Sequence, residues 1–395
     1  MTNKADSVCL SDVAEVIPGT SPSGRDINDR SEGLPFFQGA KEFGTRHPRP
    51  ERFTTAPVKT ASAGDILLSV RAPVGRVNIA DTACAIGRGV MAVRPRDPAD
   101  GPYIAAFLRM MGEAWDAHST DGTMFANLSK VGLEQLPVRW PLTRHKIAEV
   151  LSALDDAVEV SRSLISSIEA SIQLEAATVL QSAGEETQLL TEIATIVNGY
   201  SYSSSELVDA SDTAMVNLKN FGRRGGFRLD GLKPFDGKPK PAQMLVFGDA
   251  MVAKTDLTQD AEVIGRCLRM PELPQFESYV ASLDIAIVRT RGKIPQLTLC
   301  ALLAQPEFRD HCLGFVNGTT VLHMSKAALE TYCVPVLDGS QVSELTARVE
   351  ALAAHQDRTL IELYHLQEMR DFLLPRLVSG DLRVAEVEEL LESAP

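Results

Sequence analysis

The run Gly87-Arg-Gly89-Val-Met-Ala92 imitates the glycine fingerprint that cradles a dinucleotide pyrophosphate. That chemistry needs a helix directly after the glycines, so that its first amides point at phosphate. Here Val90 to Val93 run into Arg94-Pro95, which predicts a strand, and the context for a cofactor is missing. Metal chemistry is equally unsupported. The six cysteines (Cys9, Cys84, Cys267, Cys300, Cys312, Cys333) never form a Cys-x-x-Cys pair, and His145 and His323 have no second ligand at metal spacing. Reduced core cysteines are the simpler reading. No Glu-x-Lys occurs, and Asp236-Gly-Lys238, the one Asp-x-Lys, reads as an Asp-Gly turn. The side chains imply no cofactor and no recognisable active site, which predicts a chain that is not an enzyme.

Any working side chain must be positioned by a unit that the chain contains twice. Leu10 opens LSDVAEVIPGTSPS and Leu190 opens LTEIATIVNGYSYS, with apolar, acidic, glycine and serine positions in the same order. Gly64-Asp65-Ile66 returns as Gly248-Asp249-Ala250. Gly122-Thr123 through Ser129-Lys130 returns as Gly318-Thr319 through Ser325-Lys326, and Leu136-Pro137-Val138 as Val334-Pro335-Val336. The offset far exceeds a solenoid period of roughly 20 to 50 residues, so it predicts a duplicated domain. The expected division is a first domain at 1–141, a spacer at 142–187, a second domain at 188–336, a second spacer at 337–379 and an acidic tail at 380–395.

Both domains read as strand-rich α/β units. In the first, the β-branched runs at 65–70 and 75–79 are bounded by Gly or Pro and predict strands, while Tyr103 to Trp115 has helical spacing. In the second, the Pro- and Gly-rich stretch Lys233 to Pro241 predicts an exposed loop.

The net charge of −13 is unevenly placed. Residues 1–141 carry 16 basic and 16 acidic side chains and residues 188–336 carry 15 and 16, so both domains are close to neutral. The spacer at 142–187 carries 3 basic against 8 acidic, and 337–395 carries 5 against 12. A neutral domain can still present a basic face, because binding follows local charge. The acidic spacers point toward protein partners or are simply solvated helix faces. No charged-then-apolar leader and no run of 18 apolar residues is present, so no membrane is implied and a cytoplasmic location is expected.

The spacers carry heptad seams. Ile147, Leu151, Leu154, Val158, Ile165, Ile168, Ile172 and Val179 hold one frame, broken at Ser161 and Glu175. Val342, Leu345, Val349, Leu352, Leu363, Leu366, Leu373 and Leu377 hold another, broken at Gln356, Thr359 and Arg370. Such narrow seams pair helices, and polar breaks can set register. Thr143 and Ser340 are expected N-caps, and Pro375 is expected to kink or end the second helix near Leu374. Two helices of about 40 residues, roughly 60 Å each, separated by a compact domain would pack antiparallel, with the domains at opposite ends.

The runs GDILLSVRAPVGRVNIADTACAIGRGVMAVRP (64–95), DGTMFANLSKVGLEQLPVRWP (121–141) and RDFLLPRLVSGDL (370–382) resemble the specificity subunit of type I restriction-modification systems. The resemblance covers nearly the whole chain and is weaker in the second half, at MVNLKNFGRRGG (215–226) and FGDAMVAKTDLT (247–258). It implies two target-recognition domains on a bipartite double-stranded DNA site, antiparallel spacer helices, and methyltransferase and restriction-translocase subunits as partners. An amino-methyltransferase would need an Asn/Asp-Pro-Pro-aromatic tetrapeptide for the flipped base, and the chain has none.

If the target is DNA, base readout belongs to Arg, Gln and Asn, because Arg takes guanine O6 and N7 bidentately and Gln or Asn takes adenine N6 and N7. The candidates beside Gly and Pro loops are Gln38, Lys41, Arg71, Arg76 and Arg88 in the first domain. In the second they are Asn217, Lys219, Arg223, Arg224, Lys254 and Asn317. For each, a phosphate contact or a solvated surface charge is an equal alternative, since half or more of protein–DNA hydrogen bonds go to the backbone. Two rivals remain at this stage: a coiled-coil adaptor with paired protein-binding domains, and an endonuclease or methyltransferase with an unrecognised site.

Overall fold

The computed structural model describes residues 7–119, 128–223, 225–292 and 294–387. The chain divides into two compact units, one of residues up to Glu159 together with those from Leu366, the other Val160–His365. Each takes part of both long helices, Arg144–Gln181 and Gly339–Ser379.

In the first unit a four-stranded antiparallel sheet runs in the order Ala14–Pro18, Val90–Pro95, Ile66–Ser69, Val77–Ile79. A second sheet is built on the parallel pair Leu34–Phe37 and Cys84–Ile86. The predicted strands and helix are present, the helix as Gly101–Ser119. Val90–Pro95 is the strand its composition predicted, so no helix follows Gly87 and Gly89. Ile66, Leu68, Val93, Ile104 and Leu108 form a fully buried core, onto which Ile147 and Leu151 of the first long helix and Leu373 and Leu377 of the second pack.

The second unit repeats this arrangement. Its antiparallel sheet runs Ala194–Asn198, Ile285–Thr290, Ala250–Ala253, Cys267–Arg269, and its second sheet centres on the parallel pair Thr213–Val216 and Ser278–Ala281. The repeat extends to single interactions. Arg94 binds Asp65 through Nε (3.0 Å) and a terminal nitrogen (2.7 Å), and Arg289 binds Asp249 in the same way at 2.7 and 2.6 Å. The glycines before these aspartates, Gly64 and Gly248, both sit at φ +88°, where a side chain is strained. Of the repeat motifs, Gly122-Thr123 and its surroundings at 120–127 lie outside the described residues.

The long helices pair antiparallel. In the first unit the early residues of one share a core with the late residues of the other. In the second unit Ile172, Ala176 and Val179 pack with Leu345 and Val349. Three of the polar breaks, Ser161, Gln356 and Thr359, are buried, so they occupy seam positions and do not interrupt the seam. Thr143 takes the expected N-cap position, its carbonyl accepting from the Ile147 amide.

Three local expectations are corrected. The second helix begins at Gly339, and Asp338 caps it in place of Ser340: the Asp338 carboxylate accepts from the Ser340 and Gln341 amides. The helix also passes through Pro375 to Ser379. Leu373, Leu374, Leu377 and Val378 are all buried, and that burial offsets the one lost backbone bond. Phe235, in the stretch read as an exposed loop, is 1% exposed and meets Tyr200 edge to face. Beyond the helix, Val384 and Val387 belong to the core of the first unit.

Candidate nucleic-acid interface

In the first unit, backbone hydrogen bonds draw four loops that are distant in sequence to one edge. The Gly19 amide donates to the Val90 carbonyl, Thr20 to Ile86, Gly87 to Phe37, Gly89 to Gln38 and Val70 to Gly89. Glycine is required at this junction, because a Cβ on Gly19 would collide with the Gly87 carbonyl and one on Gly89 with the Gln38 carbonyl. The loops bring Gln38, Arg71 and Arg88 together, and with them Ser21, which sequence reasoning missed. The Ser21 hydroxyl donates to Gln38 Oε1 (3.2 Å) and accepts from the Arg88 amide (3.3 Å). Ser21 lay inside the repeated TSPS run, so the repeat was the available signal.

Arg76 sits at the foot of the neighbouring turn, its amide donating to Ser69 Oγ at 2.9 Å, and Lys41 follows Gln38 on a short helical turn, 3.7 Å from Glu51. Among the described residues the exposed guanidinium groups of Arg71, Arg76 and Arg88 have no ion-pair partner. Exposed cations without internal partners are free to meet phosphates or base edges.

The second unit builds the same junction with other side chains. The Ser282 amide donates to Val216, Lys254 to the Asp284 carbonyl and Tyr200 to Ala281, in the same pattern as the Gly87, Val70 and Thr20 amides. Register therefore pairs Gln38 with Asn217, Val70 with Lys254, Arg71 with Thr255 and Arg88 with Leu283. Asn217 is already committed, its Oδ1 accepting from the Lys219 amide (2.9 Å) and its Nδ2 donating to the Gly231 carbonyl (2.8 Å). Lys254 donates to Asn198 Oδ1 at 2.8 Å, and burial pushes its ammonium below the usual lysine range.

Asn317 joins this face through a small sheet in which Thr255 stands opposite His323 and His323 opposite Asn317. Lys219 is exposed and lines a surface pocket with Arg223 and Arg228. Arg223 is held by Glu262 at 3.0 Å, so a nucleic-acid phosphate would have to compete with that carboxylate. Arg224 lies outside the described residues. Thr255, Leu283 and His323 were not legible as site residues, because only strand register brings them to the edge.

Each unit is an α/β fold that packs on segments of both long helices. Residues 3–170 match the model of the type I restriction modification DNA specificity domain. A putative type I restriction enzyme MjaX specificity subunit of Methanocaldococcus jannaschii is 36% identical over 151 residues, which cover 38% of this chain and 35% of that relative, about a third of its length. The crystal structure of a type I restriction-modification S subunit from M. genitalium superposes over 96% of this chain and 97% of that one, with a TM-score of 0.56 at 16% identity. That likeness is one of fold. Over its first 170 residues the chain is thus similar to the type I restriction modification DNA specificity domain.

Proposed function

We propose that this chain is the DNA-specificity subunit of a type I restriction-modification complex, a non-catalytic cytoplasmic protein that binds a bipartite double-stranded DNA target with one half-site per recognition domain. One observation carries the reading: a single loop junction occurs in each unit and bears different side chains, with Gln38, Arg71 and Arg88 in one and Asn217, Thr255 and Leu283 in the other. Equivalent junctions with different side chains suit a target whose halves differ in sequence. The helix pair docks the methyltransferase and restriction-translocase subunits. Apolar side chains left exposed on it, such as Val160 and Leu174 in the second unit and Phe372 in the first, support that reading. No helix among the described residues is long and apolar enough to cross a membrane.

Selection of bound duplexes from a random-sequence pool, over a salt series, tests the proposal. The expected outcome is a motif with two specified halves and a gap, with affinity falling steeply as salt rises. Salt-independent binding, or none, would favour a protein-binding adaptor. Within the recovered motif, Arg76→Ala should relax one base position at a cost of about 1–3 kcal/mol if Arg76 reads a base, or weaken all duplexes alike if it holds phosphate. Unchanged binding removes Arg76 from the interface.

A further inference from the structure

In the second unit Gly225 and Gly226 rest on a side chain of the spacer helix. The Gly222 amide donates to the Gly226 carbonyl and the Gly225 amide to the Gly222 carbonyl, both at 2.9 Å, which closes the loop on itself. Gly225 and Gly226 take φ +104° and +83°. Directly beneath lies the carboxyl of Glu169: a Cβ at Gly226 would stand 3.2 and 3.4 Å from its two oxygens, and one at Gly225 3.6 Å from the nearer. Glu169, Gly225, Gly226, Arg266, Arg269 and Gln356 line one cavity of about 320 Å³. Gln356 of the second long helix donates to Glu169 Oε1 at 3.0 Å. Arg266 donates to the Arg223 carbonyl at 2.8 Å and to the Glu262 carbonyl at 2.7 Å, so one guanidinium ties the loop to the cavity wall.

We propose that Glu169 is a positioning residue for the Arg223 loop, and that its charge sets how strongly the second recognition domain selects its half-site. The inference rests on the specificity-subunit reading and deepens it. Ionised Glu169 attracts Arg266, which in turn donates to the Arg223 carbonyl. Protonated Glu169 releases that attraction while still filling the space under the two glycines.

The charged groups around it are Arg266 and Arg269 from the strand side, Asp357 paired to Arg269 on the second helix, and Glu262 and Arg309 beside Arg266. Burial outweighs the two arginines and lifts the Glu169 carboxyl to about 7. The change of charge therefore falls near neutrality, and selection at the second half-site should weaken as pH drops through that value.

The test uses the full chain and duplexes recovered from a random-sequence pool, with either half-site then scrambled. For the wild type, preference for an intact over a scrambled second half-site should fall about 5-fold from about pH 8 to about pH 6, while preference at the first half-site keeps its own pH profile. Glu169→Gln should be low at both pH values and flat between them, with the melting curve retained. Gly226→Ala, which crowds the Glu169 carboxyl and strains the loop at φ +83°, should lower second-half preference alone. Glu169→Gln with wild-type preference and slope overturns the proposal, as does equal loss at both half-sites. A wild type that selects no bipartite motif overturns the specificity reading itself, and the proposal with it.

Discussion

Arg269→Ala should destabilise the second unit by about 3–5 kcal/mol, the largest single-residue effect expected in this chain. Arg269 and Asp357 are 8% and 6% exposed in their side chains and meet through two contacts of 2.6 and 3.0 Å, with Gln356 as a third partner at 2.8 Å. Truncating the arginine leaves Asp357 buried and uncompensated, and that desolvated charge, more than the lost contact, makes the change costly. The matched double change Arg269→Met with Asp357→Leu removes both charges and should return to within about 1–2 kcal/mol of the wild type.

The pH dependence has a definite sign. Burial already raises the Asp357 carboxyl above the usual range despite Arg269. A carboxyl raised in the folded state stabilises when protonated and loses that contribution as pH rises through its folded value. The deficit of Arg269→Ala should therefore shrink on going from about pH 8 to about pH 5. With two units in the chain unfolding need not be two-state, so the measurement is hydrogen exchange resolved to the second sheet and the helix segment around Asp357. A deficit under about 1 kcal/mol would mean that the pair is solvated.

Replacing residues 188–336 with the matching segment of a type I specificity subunit should, on the proposed function, change one half of the selected motif and leave the other intact. Each mismatched base pair typically costs about 1–3 kcal/mol, so even two altered positions should shift preference between old and new half-sites by about 30-fold or more. The physical basis is that the core of each unit is its own: Ile66, Leu68 and Val93 pack in one, Val252, Ala286 and Val288 in the other. Duplex selection before and after the exchange reads the outcome. A motif altered in both halves would contradict independent recognition.

Several features were legible along the chain because they depend on near neighbours or on repetition. The duplication, the strands at 66–69 and 77–79, the helix from Gly101 and the two heptad seams follow from periodicity and turn residues that act over a few positions. The absence of a helix after Gly87 and Gly89 followed from the β-branched residues and proline behind them. The chemistry of Arg, Gln and Asn at base edges named a set of candidates without ordering them in space.

Tertiary structure decided which of those candidates meet. Gln38, Arg71 and Arg88 converge because amide-to-carbonyl bonds join loops some 20 to 50 residues apart, and no local pattern encodes such closure. The same non-local register placed Thr255 and Leu283 at the junction, with Thr255 buried against Asp284, committed Asn217 to its own turn and set Glu262 against Arg223. It also overrode local rules. Pro375 stays helical and Phe235 is buried, because apolar area removed from water by distant partners outweighs one lost hydrogen bond or a loop-like composition. The sequence by itself determined the elements, their repetition and the chemistry on offer. The fold determined which side chains share an edge, since contacts between residues far apart in the chain exist only once the sheets have closed.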